Sequence, residues 1–309
     1  MSKIHEALKK AQEERSHLVP VAPQDVPLDL QMLPEKEPQA APAAKANAVN
    51  APSADTARAG TSGQLLRFED LLKQCAQPVW QPDANAIVFS GLYGPGQGAE
   101  QFRTLRTRLY QMRDISPLKR VLITSAIAGE GKTFVATNLV QAIACERDRK
   151  VLLIDGDLRS ARLHLPLGAP LSPGLAEYLR DEASETEVIQ HGQAGNLCFI
   201  AGGKNGEVNA SELLSNGRLP RLLNRVSSLF DWVVIDSPPC LPVADASVLA
   251  GFADGLLLVV KASSTPSAIV QKAREELRKG NVLGVVLNAV NEAHGYGGYY
   301  AYSYGAETK

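Results

Sequence analysis

The sequence predicts an α/β fold built on a mostly parallel, doubly wound sheet that helices cover on both faces. Apolar, strand-like runs alternate with helical stretches along the chain, at residues 121–126, 151–157, 197–201, 232–236, 255–261 and 283–287. A glycine-rich turn follows the first run, and carboxylates end the second and the fourth. Because parallel strands gather their carboxyl ends at one edge of a sheet, we expect these polar segments to form one site.

The composition limits the number of domains and the classes of partner. With 309 residues and 45% hydrophobic content, the chain can bury one full α/β core with sequence to spare. Its 32 basic residues are balanced by 33 acidic ones, so no overall charge attracts nucleic acid and no nucleic-acid partner is expected. The four cysteines are scattered, the N-terminus lacks the apolar core of a signal peptide, and no apolar stretch is long enough for a membrane span. These features predict a reduced, cytoplasmic protein.

Shifts in composition divide the chain into four segments. Residues 1–16 have the periodicity of a short amphipathic helix, which is either a docking helix for a partner or a frayed terminus. Residues 17–63 are rich in alanine and proline and predict a disordered linker. Residues 64–292 contain the strands and helices of the folded domain, and residues 293–309 form a flexible tail rich in tyrosine.

The strongest motif is a phosphate-binding loop within residues 121–133, which read VLITSAIAGEGKT. Glycine lets backbone N–H groups close over anionic oxygens, and the helix that begins here adds the positive end of its dipole. The lysine and hydroxyl residue that follow are the types that reach the β- and γ-phosphates and Mg²⁺. A glycine-rich turn without a ligand is the alternative, but strand, turn, Lys-Thr and helix occur in the order that a P-loop requires. The predicted phosphate-binding residues are Ala128, Gly129, Glu130, Gly131, Lys132 and Thr133.

Two later strands end in carboxylates. Asp155 and Asp157 end the run VLLIDGD, and their spacing places them on one face of an extended segment, where both can act on one metal-bound phosphate. Asp236 ends the run WVVID, in the position of an aspartate that holds Mg²⁺ directly or through water. Either strand end alone is more often a helix cap or a turn, so the prediction depends on the order of all three motifs.

These motifs resemble those of the bacterial tyrosine kinases (BY-kinases) of capsular and exopolysaccharide systems. The Walker A, Walker A′ and Walker B motifs of that family correspond to SAIAGEGKT, LLIDGDLRSARLH and VVIDSPPCLPVADA, and the resemblance runs from Glu100 to the C-terminus. The family accepts alanine at the first Walker A position, as at Ala126, whereas partitioning ATPases carry a signature lysine where this chain has Ile127. The sequence departs from the family at residues 160–162, SAR, where a proline is usual. Many relatives are also fused to a two-helix transmembrane activator, which this sequence does not contain, so a separate membrane protein would have to supply it. By resemblance, Asn288 would contact the adenine.

The resemblance implies a P-loop NTPase of the deviant-Walker type that transfers a phosphoryl group from ATP, with Mg²⁺, to tyrosine. Lys132 would neutralise the phosphates, while Thr133 and Asp236 would hold Mg²⁺, with Asp155 as a further metal contact. Asp155 is also the best candidate to orient or deprotonate the phenol. Asp157 would assist at the metal or as the base.

The end of the chain is rich in tyrosine. Five of the eight tyrosines lie in the last fourteen residues, where glycine, serine and alanine separate them and leave the phenols mobile enough to enter another subunit's site. A sticky low-complexity end is the alternative. Because the resembled family has its tyrosine cluster here, the implied phosphate acceptors are Tyr296, Tyr299, Tyr300, Tyr302 and Tyr304.

Residues 100–113 predict a helix with two different faces. An apolar stripe faces the core and consists of Phe102, Leu105, Leu109 and Met112. Another face carries, every three residues, Glu100, Arg103 and Arg106. In the resembled family this ExxRxxR pattern packs subunits into a ring, an octamer by resemblance, in which tails are phosphorylated between neighbours. A solvated charged face is the alternative.

The predicted function is therefore an ATP-dependent protein-tyrosine autokinase that phosphorylates its own C-terminal tyrosines between subunits and regulates exopolysaccharide or capsule polymerisation and export. By resemblance, its partners are an activating membrane polysaccharide copolymerase, a cognate tyrosine phosphatase and copies of itself, and it is recruited to the inner face of the cell membrane. The rival prediction is a partitioning or positioning ATPase switch without kinase activity, against which Ile127 and the tyrosines argue. A non-enzymatic adaptor that bridges partners through the N-terminal helix and the linker is the third.

Overall fold

A seven-stranded sheet forms the centre of the folded domain. The computed structural model describes residues 67–89, 98–192, 195–204 and 209–290. The predicted N-terminal helix, linker and tyrosine tail lie outside these residues. The strands are β1 Arg120–Ser125, β2 Val151–Asp155, β3 Ile189–His191, β4 Leu197–Ile200, β5 Trp232–Asp236, β6 Gly255–Lys261 and β7 Val282–Asn288. Their order across the sheet is β3-β4-β2-β5-β1-β6-β7.

The sheet is mostly parallel, which confirms the predicted fold class. Within the described residues, only β3 runs antiparallel to its neighbour, β4. All six predicted strands are present. The sequence does not predict β3, which has a single strongly apolar residue, Ile189, and forms an isolated parallel bridge between Gln190 and Ala76. This short strand is defined by its neighbours in space, so its own sequence contains little signal.

Helices pack on both faces of the sheet, as a doubly wound fold requires. The helices Ala99–Ile115 and Lys132–Ala144 share one buried cluster with Val121 of β1. The helix Arg218–Val226 shares the other cluster with Leu122, the next residue of β1. The strands β1, β2, β4 and β5 are buried almost throughout, as their continuously apolar sequences predict, whereas the edge strand β7 is partly exposed. The remaining helices of the described residues are Phe68–Gln74, His164–Leu167, Leu175–Leu179, Glu185–Val188, Ala210–Ser215, Asp245–Ala250 and Ser267–Glu276.

The helix Ala99–Ile115 contains the predicted apolar stripe. Phe102 and Leu109 are buried, and Leu105 and Met112 pack against the same cluster as partly buried residues. The predicted orientation of this helix toward the core is therefore confirmed.

Three adjacent strands bring the acidic residues and the glycine-rich turn together. The strand β5 lies between β2 and β1, and its last residue, Asp236, is in register with Asp155 of β2 and Ile123 of β1. The phosphate-loop sequence follows β1 directly. The predicted motifs thus meet at the carboxyl edge of the sheet, where ligands bind in open α/β folds. Of the helices described, none combines the length and apolar character that crossing a membrane requires.

Candidate active site

The glycine-rich turn after β1 has the backbone conformation of a phosphate cradle. Gly129 and Gly131 have positive φ angles of 83° and 92°, which L-residues rarely adopt, and the helix Lys132–Ala144 begins directly after Gly131. A Cβ atom on Gly131 would lie 2.0 Å from the Asn288 side-chain nitrogen, so a larger residue here would displace the Asn288 amide. The sequence thus places N–H groups and a helix N-terminus around one point.

The loop lysine is paired with the acidic loop after β2. Lys132 Nζ lies 3.3 Å from Asp157 Oδ2, and both side chains are largely but not completely buried. In this structure the Asp157 carboxylate therefore neutralises the ammonium group that the motif assigns to phosphate. The Asp157 carboxylate also accepts a 3.1 Å hydrogen bond from the Ser160 N–H, which closes the turn in the segment that departs from the resembled family.

Thr133 and Asp236 form the second polar pair of the site. The Thr133 hydroxyl donates a 2.6 Å hydrogen bond to Asp236 Oδ2, whereas the buried Asp236 Oδ1 contacts no hydrogen-bond partner among the described residues. Burial raises the pKa of Asp236 to about 6, although the nearby Lys132 ammonium and the Thr133 hydroxyl oppose this increase.

These two residues fit a magnesium ion. A carboxylate with an unused buried oxygen next to a hydroxyl is the ligand pattern of a P-loop metal, and a cation would remove the desolvation penalty of Asp236. The described residues contain no group of three or more His, Cys, Asp or Glu side chains arranged to hold a metal. A metal here would therefore need oxygens from the nucleotide and water in addition to Thr133 and Asp236.

Asp155 is buried beneath the site and holds the loop that follows β2. Its two carboxylate oxygens each accept a 3.1 Å hydrogen bond, one from the Asp157 N–H and one from the Leu163 N–H. Burial raises its pKa well above the usual range, and the neighbouring charge of Asp236 acts in the same direction. The structure thus gives Asp155 a role in shaping the loop, and it places Asp157 nearer the surface of the site.

An ion pair that the sequence analysis did not assign fixes this loop from the other side. Arg159 Nε and Nη2 donate hydrogen bonds of 2.6 and 3.1 Å to the two oxygens of the buried Asp245. The Ser211 hydroxyl also donates to Asp245 and accepts from Arg159. Arg159 and Asp245 lie in the Walker A′ and Walker B segments, but a spacing of 86 positions between them gives no local signal of their pairing.

Asn288, the predicted adenine contact, ends β7 beside the phosphate loop. Its side-chain nitrogen donates a 2.9 Å hydrogen bond to the Glu130 carbonyl oxygen, and its own carbonyl accepts a 2.8 Å bond from the Ala262 N–H. The residue thus joins the phosphate loop to the segment after β6. Its contact with adenine stays a prediction.

The charged residues on the helix Ala99–Ile115 have different environments. Arg103 forms an ion pair with the exposed Glu100 and lies over the Phe89 ring. The Arg106 side chain is only 17% exposed, donates a 2.7 Å hydrogen bond to the Ala142 carbonyl and lies 3.2 Å from a Glu146 oxygen. Arg106 is therefore held by contacts within its own chain, while Glu100 and Arg103 face outward. The predicted acceptor tyrosines lie outside the described residues.

Comparisons with known proteins identify the family to which this chain belongs. The chain is 35% identical over 205 residues to the tyrosine-protein kinase YwqD of Bacillus subtilis, and the alignment covers 65% of this chain and 86% of that protein. The chain belongs to the bacterial tyrosine kinases. A family model described as an AAA domain matches residues 119–271 of this kinase.

A second relative is consistent with this membership, both by sequence and by structure. The kinase is 35% identical to the tyrosine-protein kinase Etk of Escherichia coli over 66% of its own length, but it spans only 28% of Etk. The solved kinase domain of that Escherichia coli enzyme has 33% sequence identity and a TM-score of 0.58, covering 64% of this chain and 80% of that structure. The predicted family and fold are therefore confirmed, whereas the roles of the individual site residues stay predictions.

Proposed function

We propose that this protein is an ATP-dependent tyrosine autokinase that phosphorylates its own C-terminal tyrosines between subunits. The observation that carries the proposal is the pair formed by Thr133 and Asp236, with its 2.6 Å hydrogen bond and the unused oxygen of Asp236, beside the glycine-rich loop. A polyanion and a divalent cation together satisfy the N–H groups, the lysine and the buried carboxylate that converge there.

Bound ATP and Mg²⁺ would supply the γ-phosphoryl group and the charge that stabilises its transfer. Lys132 would bind the phosphate oxygens through its ammonium group and so leave Asp157, its partner at 3.3 Å. Asp157 would then be available to accept the proton of the attacking phenol. Because the ordinary pKa of a phenol is about 10, a positioned carboxylate that accepts the proton late avoids full prior deprotonation.

Among the two acids of the β2 loop, Asp157 is therefore the better candidate for the base. The sequence alone favours Asp155, but both carboxylate oxygens of Asp155 accept hydrogen bonds from backbone N–H groups, and the residue is fully buried. Asp155 would instead position Asp157, whose N–H group it binds at 3.1 Å. A metal contact of Asp155 would require the loop to open.

The proposed acceptors are Tyr296, Tyr299, Tyr300, Tyr302 and Tyr304 of a neighbouring subunit. Glu100 and Arg103 would contribute to the ring contact, because they face outward, whereas Arg106 would support the helix from within. Each phosphate adds about two negative charges, so multiple phosphorylation should weaken tail docking and the ring.

The wider role that we propose is control of exopolysaccharide or capsule polymerisation and export. A membrane polysaccharide copolymerase would activate the kinase and recruit it to the inner face of the cell membrane, and a tyrosine phosphatase would reverse the modification. Ile127 at the position of the signature lysine supports a kinase over a partitioning ATPase.

The test is incubation of the purified protein with labelled ATP and Mg²⁺, with and without the cytoplasmic segment of the membrane activator. We expect label on tail tyrosines in the wild type and none in Lys132→Ala or in a chain that ends at Asn291. Label that is absent from tyrosine even with the activator segment would refute the kinase proposal. ATP hydrolysis without tyrosine label would instead support a switch ATPase.

A further inference from the structure

Glu130 belongs to the phosphate loop, yet its side chain points into the protein. The residue is 1% exposed, and each of its carboxylate oxygens is used. Oε2 accepts a 2.9 Å hydrogen bond from the Ile127 N–H, and Oε1 accepts bonds of 2.6 Å from the Thr265 hydroxyl and 3.3 Å from the Lys261 N–H. We propose that Glu130 is a positioning residue that holds the phosphate loop in its binding conformation and couples it to the segment after β6.

A direct role in phosphate or metal binding does not explain this carboxylate. Its negative charge lies in the same short loop that must attract a polyanion, so electrostatics alone disfavour it there. Its oxygens face three donors of the protein, and a metal ion would have to displace them. A buried charge is retained only when its partners compensate the lost hydration, as these three hydrogen bonds do.

The hydrogen bond to Ile127 explains how the carboxylate shapes the loop. The N–H group of Ile127 donates to Glu130, and its carbonyl accepts a 2.8 Å hydrogen bond from the Ser125 hydroxyl, so both polar backbone groups of this residue are fixed. The positive-φ residues Gly129 and Gly131 lie on either side of Glu130, and glycine has the greatest conformational freedom in an unrestrained chain. A loop that is already held in shape loses less entropy when it binds phosphate, and its affinity is correspondingly higher.

The bonds to Thr265 and Lys261 connect the loop to the opposite side of the site. Lys261 ends β6, and Thr265 lies in the turn that follows it. Asn288, at the end of β7, donates to the carbonyl of Glu130, so the side chain and the backbone of Glu130 both contact this region. The position of the phosphate loop therefore depends on the ends of β6 and β7. This inference rests on the proposed nucleotide site and concerns binding only, before any phosphoryl transfer.

Thr265 allows a test that leaves the loop sequence unchanged. In the full chain, the affinities for ADP and for pyrophosphate are measured with Mg²⁺ by competition against a fluorescent nucleotide. Thr265→Val removes the hydroxyl donor and should weaken both ligands by the same factor, about five- to tenfold. Thr265→Ser keeps the donor and should restore wild-type affinity for both.

Pyrophosphate lacks a base, which makes the comparison decisive. If Thr265→Val weakened ADP alone, Thr265 would act on the nucleoside and the coupling through Glu130 would be wrong. Glu130→Gln replaces one acceptor oxygen by a donor and should weaken ADP about tenfold or more. Adding Thr265→Val to Glu130→Gln should cause little further loss, because the two changes break one network.

Additive losses in the double variant, or unchanged ADP affinity in Glu130→Gln, would overturn the proposal. Thermal unfolding of each variant checks that it is folded at the temperature of the binding measurement. If Glu130→Gln did not fold, the comparison of Thr265→Val with Thr265→Ser would still decide, since equal affinities of these two variants contradict the coupling. A wild type that binds neither ADP nor pyrophosphate would refute the proposed function instead.

Discussion

Alanine at Gly131 should destabilise the unliganded kinase more than alanine at Gly129. Both positions have positive φ, 92° and 83°, and a non-glycine residue in this region costs about 1–2 kcal/mol. At Gly131 the new methyl group would also lie 2.0 Å from the Asn288 side-chain nitrogen, whereas nothing lies within 4 Å at Gly129. Asn288 would have to move and lose its 2.9 Å hydrogen bond to the Glu130 carbonyl, which adds about 1 kcal/mol.

Urea or thermal unfolding of the two variants measures this difference. For a domain of this size, about 1 kcal/mol corresponds to about 2–4 °C in the unfolding midpoint, so Gly131→Ala should unfold at a temperature lower by that amount than Gly129→Ala. In an Asn288→Ala background the clashing amide is gone, and the two glycine substitutions should then have equal effects. Equal effects in the wild-type background, or an excess at Gly131 that persists without Asn288, would refute the reasoning.

Three further predictions concern other parts of the structure. Burial raises the pKa of Asp236 to about 6, so the native state binds this proton more tightly than the unfolded chain. The free energy of unfolding should therefore fall as the pH rises through about 6. Asp236→Asn should flatten this pH dependence in urea titrations, and an unchanged slope would contradict the prediction. Arg106→Ala should lower the unfolding midpoint, whereas Arg103→Ala should change only self-association, measured by sedimentation. Equal unfolding midpoints of the two variants would contradict the role of Arg106 inside its own chain. The side chain of the buried Asn138 forms hydrogen bonds with the backbone of Ala86, Val88 and Phe134. Asn138→Ala should therefore lower the free energy of unfolding by about 3 kcal/mol. A loss below about 1 kcal/mol in urea unfolding would show that these hydrogen bonds are dispensable.

The central part of the fold could be predicted from the sequence because its strands are buried on both faces. Residues 232–236 and 255–261 are continuous apolar runs, and β5 and β6 have these same bounds in the structure. The motifs at the ends of β1, β2 and β5 could be placed together because parallel strands share one carboxyl edge. Local sequence therefore predicted six of the seven strands of the described sheet, and the edge of the sheet at which the three motifs meet.

Contacts between distant segments could not be predicted in this way. The sequence of Glu130 indicates a loop residue of a phosphate site, but its inward orientation depends on Thr265, 135 positions away. Arg106 fits a periodic surface pattern, and only the packing of two helices turns its guanidinium toward Ala142. The different roles of Asp155 and its neighbour Asp157 likewise depend on which backbone N–H groups the folded loop presents.

Transfer of phosphate between two different variants tests the central claim most directly. Full-length Lys132→Ala, which lacks the phosphate-binding ammonium group but keeps the tail tyrosines, is mixed with an otherwise wild-type chain that ends at Asn291, labelled ATP and Mg²⁺. Mass spectrometry then locates the phosphate on each chain. The proposed mechanism predicts phosphotyrosine at residues 296–304 of the Lys132→Ala chain, in the mixture and in neither protein alone. A mixture without phosphotyrosine, under conditions in which the wild type labels itself, would contradict transfer between subunits.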